Sequence, residues 1–177
     1  MFLLMIEKLA VRAKKGESEA FGELYELLVE KIYRFLFYKV NTVAEAEDLT
    51  AQVFEKAWKN LKRYRQGNFQ AWLFKIARHT LIDFWRTQKK EKKLTEINEP
   101  SSQTDILADL CQKEEKKQLV QALKKLKKEY YEVLSLRFFN NLSVAKTAKI
   151  INKSEGAVRV LQHRALASLK AILTGSK

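Results

Sequence analysis

Basic and aromatic side chains interleave between Leu61 and Lys93, a mixture suited to holding single-stranded nucleic acid. Lys62, Arg63, Arg65, Lys75, Arg78, Arg86, Lys89, Lys90, Lys92 and Lys93 are opposed there only by Asp83 and Glu91. Tyr64, Phe69, Trp72, Phe74, Phe84 and Trp85 lie among them. Bases stack on aromatic faces while the phosphate backbone follows positive charge. Tyr64, in a stretch of broken periodicity, is the expected stacking ring, whereas Phe69 and Trp72 fall on an apolar stripe and are expected to pack. The same composition also describes an ordinary solvated helix face.

Two further sets stand out. Glu45, Asp48, Gln52 and Glu55 recur every three or four residues, which places them on one outer strip of a helix, suited to a basic protein partner. Near the C-terminus, Glu155, Arg159, Gln162, His163 and Arg164 surround the outer surface of a helix that Ser154 can cap. A metal or acid-base centre would be the enzymatic reading of the carboxylates. His79 and His163 are far apart in sequence, however, and Cys111 is the sole cysteine, so no ligand or catalytic constellation is expected.

Composition sets the class. The chain has 177 residues, 46% of them hydrophobic, enough for one modest core or two small ones. One Pro and five Gly leave no punctuation for many short strands, so an all-α class is expected. A net charge of +13 favours a polyanionic partner, nucleic acid before an anionic membrane surface. The apolar opening Met1 to Ile6 is interrupted by Glu7 and Lys8, far short of the roughly 20 residues a spanning helix needs. Neither a signal peptide nor membrane insertion is expected, and a reducing cytoplasm fits the cysteine count.

These residues need helices to hold them. Phe21, Leu24, Leu28, Ile32, Phe35 and Leu36 mark one helix from Glu19 to Val40. Thr42 and Glu45 fit a capping box for a second, with Ala46, Leu49, Val53, Phe54, Ala57 and Trp58 as its buried stripe. After a loop from Leu61 to Gly67, Asn68 can cap a third helix through Phe69, Trp72, Ile76, Leu81 and Trp85. Between Leu94 and Gln112 there is no Lys or Arg, and Pro100, Ser101 and Ser102 accompany four acids. Residues 94–116 are therefore read as an acidic linker between domains at 1–93 and 117–177, its later part helical from a cap at Asp105. In the second domain Leu119, Leu123 and Leu126 mark one helix. Tyr131, Val133, Leu134, Leu136, Phe138 and Phe139 mark another, ending at Asn140 and Asn141. Two closing helices, from Val144 to Ile151 after Ser143 and from Glu155 to about Leu173, have helix-turn-helix proportions. Asn152 tolerates the positive φ such a turn demands, Ala148 suits close approach, and Val158 and Leu161 are expected to face the core. A plain helical hairpin has the same periodicity; the basic charge favours DNA binding.

Three motifs carry a family resemblance. They are Ala46-Glu47-Asp48-Leu49-Thr50-Ala51-Gln52-Val53-Phe54 with Ala57-Trp58, then Ala71-Trp72-Leu73-Phe74-Lys75-Ile76-Ala77-Arg78 with Asp83 and Arg86, then Ser154-Glu155-Gly156-Ala157-Val158-Arg159 with His163-Arg164-Ala165. In this order the chain resembles the extracytoplasmic-function (ECF) group of sigma-70 factors, across about residues 18–92 and 117–172. The resemblance implies a region 2 helical bundle and a region 4 helix-turn-helix, without the middle domain of housekeeping sigma factors. It implies that Glu45, Asp48, Gln52 and Glu55 dock on the β′ coiled-coil of core RNA polymerase, with the β flap as a second contact. The minus-10 element would meet Arg63, Tyr64, Arg65, Asn68, Lys75, Arg78, His79, Asp83 and Arg86, the loop Tyr64 to Asn68 receiving a flipped base. Ser154, Glu155, Gly156, Ala157, Arg159, Val160, His163 and Arg164 would read the minus-35 element from the major groove. The acidic linker would thread the polymerase's nucleic-acid channel, and an anti-sigma protein is a further partner by family habit. His79 departs from the Asn of many relatives, and Val160, Leu161 and Gln162 replace smaller or basic residues.

The expected function is a non-catalytic specificity subunit, without cofactor or metal, that brings polymerase to promoters and assists opening. A stand-alone helix-turn-helix regulator would explain the C-terminal half but give the acidic strip and the basic aromatic segment no purpose. A nuclease would need the metal constellation that is missing.

Overall fold

The computed structural model describes residues 2–40, 42–65, 67–94 and 114–175. Among them every regular element is helical, and chain contacts divide the molecule into two units, 1–36 with 44–102 and 37–43 with 103–177.

In the first unit, α1 (Phe2–Lys14), α2 (Ser18–Phe37), α3 (Val43–Asn60) and α4 (Phe69–Leu94) surround one core. Helix α1 is not among the helices expected from the sequence, whose apolar start bears only on targeting and membrane insertion. Yet Ile6, Leu9, Ala10 and Ala13 recur at helical spacing, and all four are buried. Helix α2 contributes Leu24, Leu28, Ile32, Phe35 and Leu36 as expected, but stops at Phe37 rather than at Val40. On α3 the buried line is Ala46, Leu49, Thr50, Val53, Phe54 and Ala57. The Thr50 hydroxyl is satisfied by donating to the Ala46 carbonyl at 2.7 Å. Trp58, expected on that line, is 44% exposed and packs edge-on against Phe21. The α4 stripe is also rotated from the expected one: Phe69, Leu73, Phe74, Ala77 and Leu81 are buried, while Trp72, Ile76 and Trp85 are half-buried. Phe74 and Phe35 meet in a T-shaped pair with centroids 5.5 Å apart at the centre of this core.

The second unit contains α5 (Glu114–Lys125), α6 (Lys128–Leu134), α7 (Val144–Ile151) and α8 (Glu155–Thr174). Leu123, Leu126, Tyr131, Leu134 and Ala165 form its buried cluster. The segment 37–43, which the sequence assigned to the first domain, groups here: Tyr38 packs on that cluster and Lys39 lies over the Tyr131 ring. Helix α6 does not run unbroken to Phe139; from Ser135 it widens into a single π turn. That turn swings Phe138 and Phe139 outward, 48% and 42% exposed, so neither belongs to the core. Asn140 closes it, donating from both its backbone and side-chain nitrogens to the Ser135 carbonyl. The linker expectation lies mostly outside the described residues, as does the cap at Asp105; within 94–116, α4 reaches Leu94 and α5 begins at Glu114.

Candidate promoter and polymerase interfaces

The strip on α3 is outward-facing: Asp48, Gln52 and Glu55 are exposed and Glu45 is half-buried. Its members are not equivalent. Glu45 accepts a hydrogen bond from Gln88 Nε2 at 3.0 Å and so ties α3 to α4. Glu55 is paired with Lys59 one turn on at 2.5 Å, and that hydrogen bond, then the Lys59 charge, holds its carboxyl below the usual range. Asp48 and Gln52 lie between these two anchored carboxylates on the exposed strip.

A 3₁₀ turn, Leu61–Arg63, leads from α3 into the loop before α4. Tyr64 is not placed as a stacking ring: it is only 3% exposed, with Phe69 and Trp72 centroids 5.4 and 5.1 Å away. An aromatic residue in a loop can be the loop's own anchor, and here the ring fills the gap beneath it. Burial first, then the hydrogen bond to and charge of Glu7, push the Tyr64 hydroxyl well above its ordinary range, so it stays a donor. Asn68 caps α4 as expected, accepting from the Ala71 amide at 2.7 Å. Arg63 and Arg65 flank the buried ring, both exposed. Lys75, His79, Asp83 and Arg86 follow on one exposed face of α4, with Arg78 half-buried beside them. The structure therefore brings together a basic rim and a helix face, with the ring below rather than between them.

In the second unit Ser143 caps α7 and Ser154 caps α8, each accepting an amide at 3.2 Å. Asn152 adopts the left-handed conformation, φ 56° and ψ 50°, that turns the chain between them. Val158 is fully buried and Ala148 nearly so, while Leu161 is only half-buried. This leaves Ser154, Glu155, Gly156, Arg159, Val160, His163 and Arg164 exposed on α8, and Ala157 half-buried. Arg159 pairs with Glu155 at 3.4 Å. Gln162 is bound from behind: Arg137 Nε donates to its Oε1 at 3.0 Å, and the same guanidinium donates to the Leu142 carbonyl. Arg137 thereby ties the π turn and the following loop to α8. No periodicity marks such a bracket in the sequence. Arg137→Met should cost the second unit about 1–2 kcal/mol, read as a lowered denaturation midpoint, because charge-assisted bonds to a carbonyl and an amide are lost.

Family models match both units: sigma-70 region 2 over residues 24–91, and sigma-70 region 4 over 122–171. The RNA polymerase sigma factor YlaC of Bacillus subtilis is 32% identical over 165 residues, covering 90% of this chain and 95% of YlaC. The chain belongs to the sigma-70 family, in its ECF group. The ECF RNA polymerase sigma factor BldN of Streptomyces coelicolor is 34% identical over 94% of this chain, which spans 65% of BldN's length. The sigma factor RpoE of Bartonella quintana, solved in complex with the anti-sigma factor NepR, shares the fold, with a TM-score of 0.72 at 21% identity over 89% of this chain and 98% of that one. Both helical units of a sigma factor are thus present, and the acidic strip, the basic rim and the exposed residues of α8 from Ser154 to Arg164 fall inside the two matched regions. Among the described residues no helix of this sigma factor is long and apolar enough to cross a membrane, and no cluster of potential metal ligands occurs.

Proposed function

We propose that this ECF sigma factor binds core RNA polymerase through the α3 strip, meets the minus-10 element along the rim and outer face of α4, and reads the minus-35 element with α8. The observation that carries this reading is the segregation of charge within one unit: acidic Asp48 and Glu55 on α3, basic Arg63, Arg65, Lys75 and Arg86 on the loop and α4, all exposed. The first set suits a basic protein, the second a nucleic-acid strand. Opening then needs no reaction by the sigma factor itself. Contacts made only to unstacked bases favour the melted state by their differential free energy, and polymerase performs the chemistry. Its place is the cytoplasm, where polymerase and promoter are, and an anti-sigma protein is a further partner on this reading.

Reactivity of unpaired thymines toward permanganate tests it. With core polymerase and this protein together, promoter DNA should become reactive in a short patch upstream of the start site. Core alone and the protein alone should leave it unreactive. Reactivity produced by the protein alone, or protection of duplex DNA without polymerase, would contradict the assignment.

A further inference from the structure

The loop that precedes α4 is held from a distant part of the chain. Glu7, half-buried on α1 beside buried Ile6, extends its carboxylate into the loop. The Tyr64 hydroxyl donates to both its oxygens, at 2.8 and 3.0 Å. The Gly67 amide donates to Oε2 at 3.3 Å, and the Phe69 amide donates to Oε1. Two turns further along, at the end of α1, Lys14 Nζ donates to the Tyr64 carbonyl at 2.7 Å. Gly67 has φ +156°, a conformation that side-chain-bearing residues rarely adopt, so the path of the loop is an imposed one.

Asn68 already caps α4, so the carboxylate is more than a second cap. It takes the amides on either side of Asn68 and the hydroxyl of Tyr64, so it holds the backbone where the loop enters α4, while Lys14 holds the backbone at the Tyr64 carbonyl. It also places a negative charge where the first amides of α4 would otherwise attract phosphate. We propose that Glu7 and Lys14 are positioning residues for promoter reading: α1 sets the shape of the loop Tyr64–Asn68 and keeps DNA phosphate off the start of α4, so base discrimination depends on the N-terminal helix. This rests on the loop's role given under Proposed function.

The test uses holoenzyme assembled from core polymerase and the full chain, with a labelled single-stranded DNA pool of randomised sequence, the bound fraction being sequenced. Wild type should select bases over a short window. Glu7→Gln removes the charge and replaces one acceptor oxygen by a donor, which then faces one of the two amides. It should lower discrimination about fivefold or more at one or two positions of that window, while selection at the other positions persists. Total binding of the pool should stay level or rise, since a negative charge is gone. Lys14→Met should weaken the same positions, and Lys8→Met, exposed on α1, none. Affinity for core should change less than about twofold in each, as expected for exposed or partly exposed sites away from the α3 strip. If Glu7→Gln unfolds the first unit, Tyr64→Phe, which removes a single hydroxyl and spares both amide bonds, should give the same positional loss at smaller size. An unaltered profile in these variants, or a loss spread evenly over all positions together with core affinity, would overturn the proposal. A wild-type holoenzyme that selects no bases would instead remove the loop's assigned role, and this proposal with it; the two failures are told apart by the wild-type profile.

Discussion

Phe74→Ala should unfold most of the first unit's stability reserve. The side chain is fully buried and its ring meets Phe35 at 5.5 Å, so truncation loses both transfer free energy and an aromatic contact and leaves a cavity. A buried Phe→Ala change costs about 3–5 kcal/mol, against a total of about 5–15 kcal/mol for a native domain, and a small bundle sits at the low end. Helices α3 and α4 then lose their common register, and polymerase docking and minus-10 contact should fail together. The second unit keeps its own cluster of Leu123, Leu126, Tyr131, Leu134 and Ala165. Denaturation followed separately in the two units should therefore show an early loss in the first and a nearly unchanged midpoint in the second. Equal destabilisation of both would mean that their cores are not separate.

Asp48→Lys should do the opposite: spare the fold and abolish docking. Asp48 is exposed on α3 and lies outside the buried line, so the change in stability should stay within about 0.5 kcal/mol. Reversing a charge at the centre of a complementary strip replaces attraction with repulsion, which costs an interface several kcal/mol. Affinity for core polymerase should fall by about a hundredfold or more at low salt, and the deficit should shrink as salt screens it. Titration of labelled core at two ionic strengths measures both effects. Tight, salt-insensitive binding by this variant would take the strip out of the polymerase interface.

Much of the architecture was legible in the sequence because it rests on local rules. Apolar spacing located α2, α3 and α4, Ser143 and Ser154 announced their helices, and Asn152 announced its left-handed turn. What escaped were features that depend on neighbours distant in the chain. Trp58 and Trp72 have core-forming side chains, but which side of a helix is sealed depends on where α1 and α2 lie, and small rotations exposed one ring and half-exposed the other. The π turn at Ser135–Phe139 breaks no propensity rule; it follows from the closing bonds of Asn140 and moves two phenylalanines to the surface. At the candidate site the charged residues were readable, since exposure follows from helical spacing. The roles of Tyr64, Glu7, Lys14 and Arg137 were not, because each is defined by a partner elsewhere in the fold. Glu7 did carry one signal: an acid beside the apolar residues of an amphipathic helix, close enough to the buried line to be drawn inward.

On the proposed function, this chain confers promoter selection on polymerase. In vitro transcription with purified core RNA polymerase and a pooled genomic promoter library, with and without the protein, tests it most directly through the sequenced RNA start sites. Starts that appear only with the protein and share two upstream motifs, one for each DNA-reading unit, are the expected result. An unchanged set of starts, with a folded protein and an active core, would contradict it.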